Sequence, residues 1–126
     1  MNHKLMFESS WEKAISPVDR KTITEIYLNQ PPVGNTITYT TIRAALNHYG
    51  ALLAMVLIQN GTKDSFSIRN LDLQYEEEGR GVIAQHCFNL PKIIIEKHTS
   101  MPWTFVFPQD TIAQRPLLIN WILADH

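Results

Sequence analysis

The sequence has a single cysteine, Cys87, so it cannot brace itself with an intrachain disulfide. It also lacks a long hydrophobic run. The longest, residues 51–58, is far short of the ~20 apolar residues a membrane-crossing helix needs, so no membrane span is expected. Charge of one sign is absent too: eleven basic residues stand against twelve acidic ones, with no basic cluster. Nucleic-acid binders carry a basic patch or stripe, so no nucleic-acid partner is expected. The five histidines, His3, His48, His86, His98 and His126, include no i, i+4 pair, and with one cysteine no metal site is expected. Gly79-Arg80-Gly81 lacks the strand-to-helix setting of a phosphate loop, and no cofactor motif is found. Residues 1–8 have no apolar signal core and there is no lipidation motif, which makes cytoplasmic residence the expectation.

What the sequence does have is enough apolar material for its own core. With 126 residues, 44% of them hydrophobic, it reads as one domain spanning 1–126. Leu5 and Phe7 alternate with polar neighbours and suggest a short first strand. Ser16-Pro17-Val18-Asp19 is a helix start: a serine that can cap, a proline whose missing N–H costs nothing in the first turn, and an acid at the positive end. Ile23, Ile26 and Tyr27 give that helix, about 17–28, an apolar face, and the stretch 29–34, with two prolines, ends it.

From there to about residue 123 the period is two. Residues 36–46 are rich in Thr, Ile and Tyr, and 51–59 are apolar on both faces, as in a central strand. Asn60-Gly61 signals a tight hairpin. Residues 65–75 form a strand whose phase slips near Arg69-Asn70, indicating a bulge or a corner. Strands are expected over 82–90, ended by Pro91, then over 93–95, 103–107 and 117–123. This spacing predicts a mostly β, two-sheet antiparallel sandwich, immunoglobulin-like, with one short N-terminal helix. Large aromatics at strand positions supply core candidates: Phe88, Trp103, Phe105, Phe107 and Trp121, with Trp11 before the helix.

Candidate chemistry reduces mostly to folding. His86 and Cys87 are strand neighbours and point to opposite faces, so they cannot form a Cys–His dyad; a half-buried histidine and a buried cysteine are expected. Glu76-Glu77-Glu78 diverge in a turn and read as a solvated hairpin tip, not a cation site. Asn60-Gly61-Thr62 matches a glycosylation sequon but reads as the hairpin turn. Loops at a sandwich end could gather His48, His86, Asp110 and Arg115 into a pocket. That makes a small-ligand binder or hydrolase the alternative to a binding module.

One pattern exceeds composition. Phe7, Trp11-Glu12 and Ile15-Ser16 precede the helix; the apolar strand 53–58 is closed by Asn60; residues 68–73 follow; residues 81–88 carry Ile83-Ala84 and Phe88. The pattern ends with Ser100, Pro102-Trp103-Thr104-Phe105 and Phe107-Pro108. It resembles the SLAP domain of Firmicutes, named for an S-layer assembly protein that accompanies the accessory Sec system, over nearly the whole chain. The resemblance implies a non-enzymatic protein-interaction or assembly module. No catalytic residue carries over, and the partner would be a secretion or cell-envelope component. Full assembly proteins resemble a duplicated form of the domain, so this chain reads as a single-domain relative. A sandwich keeps open edges that can accept a strand or a second copy. The Thr-rich, uncharged stretch 36–41 is the expected edge and route to a homodimer.

Overall fold

The computed structural model describes residues 3–32 and 34–126; Val33, in the expected helix stop, and Met1 and Asn2 lie outside it. It is mostly β, with two sheets and two helices. Sheet A joins β1 (Lys4–Leu5), β6 (Thr99–Phe107), β3 (Leu52–Asn60) and β2 (Ile37–Leu46), in that order, and is strongly curled into a half-barrel. Sheet B joins β5 (Gly81–Ile95), β4 (Phe66–Glu77) and β7 (Trp121–Asp125). The core lies between them. Alternate residues of β3 (Leu52, Ala54, Val56, Ile58) meet Ile68, Leu73, Tyr75, Ile83, Phe88 and Leu123, with Phe105 and Phe107 of β6 fully buried among them.

The two-sheet, mostly β expectation holds, but the strong curl of sheet A departs from the immunoglobulin-like sandwich expected. Here β2 and β3 are successive and pair together, as do β4 and β5, and β6 and β7 then return one to each sheet. Nor is the fold wholly antiparallel, since β1 runs parallel to β6.

The capped helix forms as α2 (Pro17–Asn29), where Ser16 Oγ accepts from Asp19 N at 3.1 Å. A second helix, α1 (Ser9–Ala14), was not expected: six residues are too few for a legible period, and its cap is Glu8, which accepts from Ser10 N at 2.8 Å. Arg20 joins the helices by pairing with Glu12 at 2.8 Å, and Arg43 ties α2 to β2 by meeting Asp19 at 3.3 Å. Ile23 of α2 and Leu57 of β3 are buried outside the inter-sheet cluster, so the helices cover the outer face of sheet A.

Three turn and boundary expectations change. Asn60-Gly61 is no hairpin, because β3 and β4 belong to different sheets, and neither residue has the positive φ that such a turn demands. Asn60 is instead fully buried: its amide donates to the carbonyls of Asp64, Ile95 and Glu96 and accepts from Thr62 N at 2.9 Å. The sequon side chain is therefore a clamp joining the crossing loop to the end of β5. Pro91 does not end a strand. It sits inside β5, an edge strand whose ladder is irregular between Leu90 and Ile94, where a missing N–H is tolerated. The last strand starts at Trp121, not 117, because Leu118 and Asn120 have φ of 69° and 50° and break the extended run. The phase slip near Arg69-Asn70 is a bulge, with Asn70 at φ 49°.

Candidate functional site

Glu77 overturns the picture of a solvated glutamate tip. It is the last residue of β4 and only 4% exposed. Strand alternation puts it on the same face as Tyr75, whose hydroxyl donates to Glu77 Oε2 at 2.7 Å. The amides of Leu117 and Leu118 donate to the same oxygen at 2.9 Å each, and Arg80 pairs with Oε1. Burial alone would raise this carboxyl's pKa; the four hydrogen bonds outweigh it and hold the group below the usual carboxylate range. Tyr75 moves the other way, pushed up by burial and then by the hydrogen bond and charge of Glu77. Arg80 also donates to Gln114 at 3.1 Å, and Glu78 N donates to Asn120 O at 2.8 Å. One buried carboxylate thus pins residues 114–120 against the β4–β5 hairpin.

That anchored corner carries apolar side chains in water. Val82, Leu117, Ile119 and Ile122 are 42–61% exposed. Glu76 pairs across the ladder with both Val82 and Ile122, so the three share the outer face of sheet B. Beside them lies an open cavity of about 580 Å³ bounded by residues 76–79, Gly81 and 120–122.

The four polar residues proposed as a pocket do not converge. His86 lies on β5 with its ring against Phe88 at 4.9 Å; His48 is in the β2–β3 turn, stacked on Tyr49 at 4.0 Å. Asp110 is exposed in a 3-10 turn (Gln109–Thr111), and Arg115 is exposed in the segment after it. Among the described residues, no hydrogen bond or ion pair joins any two of them. Cys87 is exposed rather than buried, because its face of β5 is the outer one. His86, on the other face, is half-buried as expected. Among the described residues no group of three His, Cys, Asp or Glu side chains is placed to hold a metal, and no helix is long and apolar enough to cross a membrane.

Of the aromatic candidates, Phe105 and Phe107 are fully buried, and Phe88 and Trp121 nearly so. Trp103 and Trp11 are half-buried and stack on each other at 6.3 Å, which makes them a link between α1 and β6. The Thr-rich β2 is the terminal strand of sheet A. Its Tyr39 hydroxyl is pushed up by burial and then by the charge of Asp125 on β7. The flank of β2 therefore looks onto the last strand of sheet B. Glu77 and its amides were invisible in the sequence, because nothing there showed that Leu117 and Leu118 return to it; the one available signal was the two-residue spacing from Tyr75.

Compared with known proteins, the family model described as the SLAP domain matches residues 5–124. No curated protein and no solved structure matches.

Proposed function

This chain belongs to the SLAP domain family, and on that premise we propose that it acts by binding, as a protein-assembly module serving accessory secretion or cell-surface assembly in a Gram-positive bacterium. Its partner in this reading is a secretion or cell-envelope component, met on the cytoplasmic side. The observation that carries the proposal is the anchored corner. Leu117 and Ile119, on the segment fixed by a buried carboxylate, and Val82 and Ile122, on the strands beside it, stand in water, and exposed apolar clusters of this kind mark interaction surfaces. The separation of His48, His86, Asp110 and Arg115 supports binding over hydrolysis in the same reading.

The test is a photo-crosslinking amino acid at Ile122 in the native cell, with Lys97 as the comparison position. Crosslinks from Ile122 to a secretion or envelope protein, lost in a Val82→Glu, Ile119→Glu variant that still folds, are the expected result. Absence of any protein crosslink at Ile122, together with normal surface-protein export in the deletion strain, would sink the proposal.

A further inference from the structure

The edge of sheet A at β6 is only partly covered. β1 spans two residues and pairs with Thr99 and Ser100 alone. Lys4 N donates to His98 O at 3.1 Å and Met6 N to Ser100 O at 2.9 Å, after which the chain leaves the ladder and enters α1, whose Trp11 stacks on Trp103. Backbone polar groups alternate from side to side along a strand. Since Ser100 faces β1, Pro102, Thr104 and Val106 face the same flank, and the odd-numbered residues face β3. The proline agrees with this assignment, because a residue without an N–H sits in a sheet where it owes no ladder bond. Thr104 and Val106 thus present N–H and C=O groups to a flank with no strand on it among the described residues.

A second flank, bridged at Ala84 by Ile112, lies across from it. β5 is the edge of sheet B, and Ala113 N donates to Ile83 O at 2.7 Å, so the carbonyl of Ile83 points away from β4. Beyond the Ala84–Ile112 bridge the edge continues through the exposed Cys87. Between the two edges runs a groove of about 410 Å³ lined by residues 86–90 and 103–106. Among the described residues no Asp, Glu, Lys or Arg lines it. Val106, 44% exposed, stands at its rim.

We propose that this groove takes an extended, uncharged segment of a partner polypeptide, added as a strand to β6 where β1 leaves off. The flank supplies main-chain donors and acceptors, which recognise a backbone rather than a folded surface. β1 shows that the same flank already accepts a short added strand. A charged segment would give up hydration with no counter-charge in the groove. From Pro102 to Phe107 there is length for about six residues, or roughly 20 Å of strand. The inference rests on the reading of the protein as a binding module and names a site and partner class for it.

The test uses capped, fluorescein-labelled hexapeptides of alternating Thr and Val, with Glu-containing and Lys-containing versions of the same length. Anisotropy reports binding, and amide hydrogen exchange reports where. The uncharged peptides are expected to bind and to slow exchange at Thr104 and Val106. Thr104→Pro removes an outward N–H without touching the β3 ladder, and should weaken binding tenfold or more. Val106→Lys, at a position open enough to fold, should do the same. The proposal is overturned if no uncharged peptide binds, if the charged ones bind equally, if protection falls on β2 instead, or if both variants bind normally. It is also overturned if a second copy of the chain protects the same amides in place of peptide. Crosslinking at Ile122 is independent of this flank. Peptide failure with crosslinks intact therefore removes only this inference, and lost crosslinks with peptide still bound remove the wider reading.

Discussion

Replacing Glu77 tests whether one carboxylate really fastens the corner. Hydrogen bonds to a charged group contribute about 1.5–3 kcal/mol each, but the four here share one acceptor and do not add. Removing one partner of a buried ion pair costs about 3–5 kcal/mol. Arg80, with its side chain 26% exposed, can regain water, so the amides of Leu117 and Leu118 and the Tyr75 hydroxyl carry most of the loss. Glu77→Ala should therefore destabilise by about 3–4 kcal/mol, and Glu77→Gln by about 2–3 kcal/mol, since the amide keeps one acceptor oxygen. Urea unfolding followed by tryptophan fluorescence measures both, and a cycle with Tyr75→Phe should return a coupling of about 1–3 kcal/mol. Acid should mimic the substitution. The folded pKa of Glu77 is depressed, so its contribution is complete above the unfolded carboxylate value of about 4.3 and fades as pH falls through the lower folded value. Wild-type stability should drop across that window more steeply than that of Glu77→Gln. A cost under about 1 kcal/mol for Glu77→Ala, or identical acid slopes, would refute the reasoning.

Other outcomes follow from burial. Asn60→Ala should cost about 3 kcal/mol in the same urea assay, because it strands the carbonyls of Asp64 and Ile95 and the amide of Thr62; a neutral result would mean that the clamp is not formed. Phe105→Ala should cost about 3–5 kcal/mol, whereas Trp103→Ala should cost less, about 1–3 kcal/mol, with most of that loss coupled to Trp11. Equal costs for the two would show that Trp103 lies in the inter-sheet core. Cys87 should react stoichiometrically with a disulfide reagent in the native protein, and a thiol that reacts only in urea would contradict its placement on the outer face of β5.

Much of the fold was legible because it is local. The cap at Ser16, the two-residue period, the bulge at Asn70 and the buried pair Phe105 and Phe107 each depend on residues close together in sequence. The features that were not legible depend on who comes back to whom. Asn60 reads as a turn until Ile95 and Glu96 arrive to receive its amide. Glu77 reads as one of three exposed acids until Leu117 and Leu118 point their amides at it. Cys87 was misplaced because small apolar residues are usually buried, and only the sheet's outer face decides otherwise. The same limit hid the open flank of β6, since the chosen edge, β2, was judged on its composition, whereas coverage depends on where β1 stops.

The strand order also sets a timetable for synthesis. β2–β3 and β4–β5 are local hairpins that can form as they leave the ribosome. Yet β3 and β4, the two central strands, each wait for a late partner: β6 completes one and β7 the other. Until residues 99–125 emerge, both half-built sheets expose an apolar central strand along one whole side, the state most open to aggregation and to chaperones. Slowing translation before residue 99 should prolong that exposure.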